Sequence, residues 1–138
     1  MIEGGCFCGT VRYRVEGQLM PARACHCSQC RKAFNGASSA YAPLNEASGF
    51  VWLRGEEKLT KHVGSHGWGL AFCSICGSTL CGILNGKVHG VTLGCVDGDP
   101  QVEIEVHLFV GSKARWDHIG GSAPQYEEQP PVPGGSAT

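Results

Sequence analysis

The chain has 138 residues, of which 42% are hydrophobic and 17% charged, so it suits one domain with a packed core and argues against wholesale disorder. Eleven lysines and arginines against twelve acidic residues give a net charge of −1, which argues against a nucleic-acid partner held by a broad basic field. Two counts stand out: 21 glycines, which favour tight turns between short strands, and nine cysteines, which need a chemical explanation.

The predicted elements, taken in chain order, are mostly β-strands. Apolar and polar residues alternate over 11–16, which predicts a half-buried strand, and residues 50–53 and 59–63 predict two further short strands. The Asn-Gly pair at 85–86 lies between apolar segments, which predicts a hairpin with a type I′ turn. Alternation resumes over 102–110 and predicts a long strand with one face in the core. We therefore expect a mainly β fold.

Helical signals are weak, and the C-terminal residues are unsuited to regular structure. One helical turn is predicted after Cys30 and another around residues 44–47. Prolines near the C-terminus remove backbone donors, so we expect no regular structure beyond Tyr126, although Tyr126 itself can hold the tail against the body. The sequence thus predicts one domain over residues 1–124 and a Pro/Gly-rich tail over residues 125–138.

No segment predicts export or insertion into a membrane. The N-terminal MIEGGCFCG lacks a basic stretch followed by an apolar one, and nowhere do about 18 apolar residues run together. We therefore expect a cytoplasmic protein without a membrane partner, whose cysteines stay reduced. The odd cysteine count also prevents complete disulfide pairing within one chain. Clustered reduced thiols usually bind a metal or take part in catalysis, and the alternatives are disulfides or inert buried cysteines.

Seven cysteines fall into clusters with the spacing of metal ligands. The clusters are CFC (Cys6 and Cys8), CHCSQC (Cys25, Cys27 and Cys30) and CSIC (Cys73 and Cys76). A C-x-x-C turn lets two thiolates converge on one metal, and a C-x-C pair on an extended strand places both sulfurs on one face. Zinc is the commoner metal for such sites, so we expect zinc ions rather than an iron–sulfur cluster.

The clusters predict two sites of different kinds. Cys6, Cys8, Cys73 and Cys76, called the four-cysteine group below, can close a tetrahedral structural site that joins the N-terminal strand to the middle of the chain. Cys25, Cys27 and Cys30, the three-cysteine group, leave one position for water or a ligand, as in catalytic zinc sites. A closed second site is the alternative, completed by one of three residues, namely His26, Cys81 or Cys95.

Two cations follow the three-cysteine group directly. Arg31 and Lys32 are candidates to bind the carboxylates of a small acidic ligand, and the alternative is that they are solvated charges balancing an anionic zinc centre. His26 is predicted to point away from the face its cysteine neighbours share, either behind the ligands or at the surface. His107, on the polar face of the last predicted strand, is interpreted as structural.

Several segments together carry a family resemblance. In chain order, GGCFCGTVRYRV, CHCSQCRKAFNGA, AFCSICGSTL and HLFVGSKARW resemble the glutathione-dependent formaldehyde-activating enzyme family, over residues 4–124. The resemblance implies a β-tent fold of twisted antiparallel sheets held together by zinc, which is shared with zinc-containing Rab-binding proteins. Centromere protein V is one branch of the family that this chain resembles. It also implies that the four-cysteine group binds a structural zinc and the three-cysteine group a second zinc.

The resemblance further implies a chemistry. The founding enzyme joins the thiol of glutathione to formaldehyde, and the reverse reaction cleaves a carbon–sulfur bond. We therefore expect a zinc-binding carbon–sulfur lyase that acts on a thiol adduct such as S-hydroxymethylglutathione, with a small-molecule thiol as its partner. The alternative is a binding module held together by zinc and without catalytic activity. The sequence assigns no catalytic residue and no oligomeric state.

Overall fold

The computed structural model describes residues 1–45 and 49–130, and their regular secondary structure is mainly β-strand. The strands are β1 (Ile2–Gly5), β2 (Arg12–Glu16), β3 (Ala22–Cys25), β4 (Ser39–Pro43), β5 (Gly49–Arg54), β6 (Leu59–Val63), β7 (Trp68–Cys73), β8 (Thr79–Leu84), β9 (Lys87–Thr92) and β10 (Ile104–Leu108). The described part also contains helix α1 (Ser28–Phe34) and short 3₁₀ turns at Glu56–Lys58, Leu93–Cys95 and Val110–Ser112. These elements form two compact units, one made of Met1–Pro21 with Tyr41–Val102 and one made of Ala22–Ala40 with the described residues from Glu103 onward. The boundary at residue 124 stays a prediction.

One sheet of the first unit has the strand order β1-β2-β5 and is antiparallel throughout. The alternating apolar residues around β2, Val11, Tyr13 and Val15, are completely buried, which confirms the predicted strand. Tyr13 stacks on Phe50 with ring centroids 5.2 Å apart and meets Trp52 edge-on at 6.2 Å. The strand predicted over 50–53 is therefore confirmed as β5, and its aromatic residues pack on β2.

The other sheet of the first unit has the order β4-β9-β8-β7-β6 and is also antiparallel. Strand β6 covers the residues predicted over 59–63. The turn between β8 and β9 has Asn85 at φ 51° and Gly86 at φ 80°, the two positive values that a type I′ turn needs, so the predicted hairpin is confirmed. A core cluster of Ala71, Cys81 and Ile83 lies on this sheet.

The second unit contains a parallel strand pair, which departs from the expected antiparallel sheets. Strand β10 pairs with β3 in the register Ile104↔Ala22 to Leu108↔Cys25. The strand predicted over 102–110 is shorter than expected because Phe109 takes a left-handed φ of 56° and a 3₁₀ turn follows. Alternation identified the strand but carried no information on the direction of its partner.

Helix α1 begins at Ser28, earlier than the turn predicted after Cys30. The Cys27 side chain caps it, with its sulfur accepting a hydrogen bond from Cys30 N, and it ends at Asn35 in the left-handed conformation at φ 54°. Of the second predicted turn, Leu44 instead forms an antiparallel bridge with Leu19, and residues 46 and 47 lie outside the described residues.

The start of the C-terminal tail is bound to β10. His107 N donates to Pro124 O and Tyr126 N donates to His107 O, both at 2.9 Å, so the expected anchoring at Tyr126 is confirmed. Residues 127–130 form no strand or helix, as predicted, and the rest of the tail lies outside the described residues. Within the described ranges, no helix has both the length and the apolar character needed to span a membrane.

Candidate metal centres

The four-cysteine group is assembled within the first unit. The sulfurs of Cys6, Cys8, Cys73 and Cys76 all lie within 4.8 Å of one another. Cys8 Sγ lies 3.6 Å from Cys6 Sγ and 3.8 Å from Cys73 Sγ. A tetrahedral zinc ion with Zn–S bonds of about 2.3 Å separates its sulfurs by about 3.8 Å. The donor chemistry and the spacing therefore both fit one zinc ion with four protein ligands.

A turn, and not a strand, brings Cys6 and Cys8 together. Strand β1 ends before Cys6, and Gly9 N closes the turn by donating to Cys6 O at 3.1 Å. Val11 N donates to Cys6 Sγ at 3.2 Å. We predicted that Cys6 and Cys8 lie on an extended strand, and this is wrong, because the chain reverses direction at this pair. The two sulfurs nevertheless lie close together, as predicted.

The second half of this group lies at the end of β7. Gly77 N donates to Cys73 O at 2.8 Å, and Cys73 N donates to Ser78 O at 2.9 Å, so the loop is closed by its own backbone. Gly77 has φ 82°, a conformation that L side chains rarely adopt. Burial raises the pKa of Cys73. Metal binding would overcome this cost, because a ligating thiol loses its proton to the metal.

Two hydroxyl groups stabilise the thiolates on the exposed side of the group. Hydrogen bonding from the Ser78 side chain lowers the pKa of Cys76 to about 5, and the side chain of Thr10 lowers the pKa of Cys8. Ser78 Oγ also accepts a hydrogen bond from Phe7 N at 2.9 Å, so one serine joins the two cysteine loops. Neither hydroxyl residue was predicted from the sequence. The signal was the tripeptide Cys-Gly-Ser/Thr, which occurs at 8–10 and again at 76–78.

The three-cysteine group is assembled within the second unit. The sulfurs of Cys25, Cys27 and Cys30 lie within 4.8 Å of one another, and no other Cys, His, Asp or Glu of the described ranges contributes an atom to this group. Cys25 ends β3 and its N donates to Ser39 Oγ at 3.2 Å, whereas Cys30 N donates to Cys27 Sγ at 3.3 Å in the first turn of α1. Three soft donors fit zinc and leave one coordination position for a ligand.

The thiols of this group share their protons unequally. Hydrogen bonding with Cys30 lowers the pKa of Cys25 to about 6, and the same contact together with burial raises the pKa of Cys30. Close packing of thiols thus stabilises one thiolate before any metal binds.

His26 lies between two of these cysteines but faces another partner. His26 is only 2% exposed, and its Nε2 lies 2.9 Å from His107 Nδ1. Burial lowers the pKa of His26. The surface position considered for His26 is therefore wrong, because the ring is buried against another histidine. This contact could not be predicted from the sequence, because the two residues are 81 positions apart.

The other cysteines considered as ligands have separate environments in the first unit. Cys81 is completely buried, and burial raises its pKa to about 12. Cys95 donates from Sγ to Thr79 O at 3.4 Å, and burial raises its pKa as well. Both are therefore protonated near neutral pH, as expected of inert thiols.

The two candidate ligand-binding cations lie in the last turn of α1. Arg31 Nη2 donates to Ser112 O at 3.3 Å, and its Nε is buried without a hydrogen-bond partner among the described residues. Lys32 is exposed. Neither cation forms an ion pair with a described acidic residue, so both retain capacity for an anion.

A family model and a curated relative name the same family, and a solved structure is similar to this chain. The family model described as glutathione-dependent formaldehyde-activating enzyme matches residues 1–112, which include both cysteine groups. The "Putative glutathione-dependent formaldehyde-activating enzyme" of Halomonas elongata is 31% identical over 135 residues, covering 86% of this chain and 81% of that protein. A crystal structure of a Rhodobacter sphaeroides protein is similar with a TM-score of 0.54 and 31% identity, covering 74% of this chain and 98% of that one.

Proposed function

Because the chain belongs to the glutathione-dependent formaldehyde-activating enzyme family, we propose that it is a zinc-dependent carbon–sulfur lyase that acts on a thiol adduct such as S-hydroxymethylglutathione. The observation that carries this proposal is the three-cysteine group, whose three converging sulfurs leave a position for a ligand. A purely structural zinc site would use four protein ligands, as the four-cysteine group does.

The two groups have different tasks in this proposal. The four-cysteine group holds the loop at 6–8 against the loop at 73–76, so its metal contributes to folding. The three-cysteine group holds the metal that the substrate thiol approaches. Zinc bound there supplies Lewis acidity that favours the thiolate form of a substrate thiol, whose pKa in water is about 8.5.

The chain's own side chains bind and orient the substrate. Arg31 and Lys32 follow Cys30 directly and bind the carboxylates of a glutathione-like thiol. The sulfur of that thiol adds to the carbonyl carbon of formaldehyde, a carbon–sulfur bond forms, and the thiol proton passes to the carbonyl oxygen. In the reverse direction the carbon–sulfur bond breaks and the hydroxyl proton returns to sulfur. Placing the reactants beside each other is the protein's contribution to the rate.

A glutathione titration of the cobalt-substituted protein tests the proposal. Glutathione should change the absorption of cobalt in the three-cysteine group and leave the cobalt of the four-cysteine group unchanged. S-methylglutathione, which has the same carboxylates but no ionisable thiol, is the control and should bind much more weakly. No spectral change with glutathione at millimolar concentration would contradict the proposal and favour a binding module.

The roles of the two cations have a separate test. Arg31→Gln and Lys32→Gln should each raise the KM for S-hydroxymethylglutathione several-fold with little change in kcat, because each removes a contact to a non-reacting carboxylate. Arg115→Gln is the matched control, since Arg115 is an exposed arginine of the same unit. Equal KM values for all three variants would instead favour the reading of Arg31 and Lys32 as solvated charges.

A further inference from the structure

Strand β10 holds His26 at two points. His26 N donates to Leu108 O at 2.9 Å, and His26 Nε2 lies 2.9 Å from His107 Nδ1. In such a contact one ring nitrogen carries a hydrogen and the other accepts it, so the two rings fix each other's orientation. His26 is the residue that separates Cys25 from Cys27. Its anchoring therefore sets the path of the backbone between two members of the three-cysteine group.

The register of the strands explains why His107 reaches this position. In the parallel pair, His107 lies opposite Ala24 and Leu108 lies opposite Cys25. Side chains alternate along a strand, so His107 belongs to the face opposite to that of Leu108 and Cys25. His26, one residue beyond Cys25, returns to the face of Ala24 and meets His107 there. The histidine pair thus supports the cysteines from the far side of the strand.

The C-terminal segment holds His107 in turn. Its backbone donates to Pro124 O and accepts from Tyr126 N, both at 2.9 Å, and an isolated parallel bridge joins it to Gln125. Two further bonds continue this pairing, from Val110 N to Tyr126 O at 2.9 Å and from Phe109 N to Glu128 O at 3.1 Å. The match to the family model ends at residue 112, so this support comes from a part of the chain beyond that match.

We propose that His107 is a positioning residue for the three-cysteine group, which it supports through the ring of His26 while residues 124–126 hold its own backbone. The inference rests on the proposed function in one respect, namely that the three-cysteine group binds a metal. Groups that hydrogen-bond directly to a metal ligand typically alter metal affinity by about 10–100-fold when they are replaced. His107 acts through the intervening His26, so we expect an effect at the lower end of that range.

Cobalt binding by the full-length protein tests this inference, with the four-cysteine group as an internal standard. His107→Leu should bind cobalt in the three-cysteine group about tenfold more weakly than the wild type, with unchanged affinity in the four-cysteine group. His107→Asn should restore most of the affinity, because the side-chain amide places a polar atom close to the position of Nδ1. His118→Leu, which replaces an exposed histidine of the same unit, should match the wild type.

Each other outcome contradicts the inference. Wild-type cobalt affinity in His107→Leu would show that the histidine contact is dispensable. Equal losses from both cysteine groups would show general destabilisation, and equal losses in His107→Leu and His107→Asn would show that the hydrogen bond is not what matters. Absence of cobalt from the wild-type three-cysteine group would overturn this inference together with the proposed function. A wild-type protein that binds both cobalt ions but shows no spectral change with glutathione would overturn the proposed function alone.

Discussion

At the scale of single residues, the two loops of the four-cysteine group use the same device twice. Gly9 and Gly77 follow the second cysteine of their pairs and have φ values of 81° and 82°. Each glycine turns the chain so that the next residue, Thr10 or Ser78, brings its hydroxyl within 3.4 Å of the preceding cysteine sulfur. Glycine adopts this conformation without steric cost, which explains part of the high glycine content.

Individual cysteines of the two groups should differ in their importance for folding. Cys73→Ala removes a completely buried thiol of the four-cysteine group, which joins distant loops, and we expect no soluble protein. Cys27→Ala also removes the cap of α1, which costs about 1 kcal/mol and is too little to unfold the domain. That variant should be soluble and contain about one metal ion fewer. Soluble yield, circular dichroism and elemental analysis measure the difference, and identical behaviour of the two variants would contradict the assigned roles.

At the scale of elements, the sequence predicted best where local chemistry decides the structure. The hairpin at Asn85 and Gly86 and the alternating strand β2 depend on turn geometry and on one buried face, both of which are visible in the sequence. The parallel pairing of β10 with β3 was not predicted, because alternation identifies a face and not a partner. The cysteine groups were predicted, because their spacing is visible in the sequence. The His26–His107 contact was not predicted, because it depends on the tertiary fold.

The β8–β9 turn offers a test of backbone conformation alone. A Cβ atom added at Gly86 would meet no atom within 4 Å, so Gly86→Ala changes only the cost of holding φ at 80°. We expect this variant to lose about 1 kcal/mol of unfolding free energy, measured by urea denaturation. Gly94→Ala is the control, because a Cβ there also meets open space and Gly94 has no positive φ. A Gly86→Ala variant as stable as Gly94→Ala would contradict the type I′ assignment.

At the scale of the whole molecule, both cysteine groups link their own unit internally. The four-cysteine group brings together sulfurs of residues 65 positions apart, and the three-cysteine group fastens the end of β3 to the start of α1.

Metal binding would also change the net charge of the protein. Ionisation of seven cysteines and binding of two zinc ions would shift the formal charge from −1 to about −4, since each thiolate adds −1 and each ion +2.

We expect removal of bound metal from the four-cysteine group to unfold the protein. Structural zinc sites contribute about 10–16 kcal/mol of apparent binding free energy near neutral pH, which is comparable to the total stability of about 5–15 kcal/mol that is usual for a domain. A strong chelator in the presence of a thiol reductant should abolish the β-sheet circular dichroism signal, and added zinc should restore it. Acid should act in the same direction, because protons compete with the metal for the thiolates.

The Cys27→Ala variant is the informative control, since it should stay folded until the four-cysteine group loses its ion. A chelated, metal-free protein that keeps its β-sheet signal would show that the hydrophobic core around Tyr13 and Leu80 is sufficient without metal.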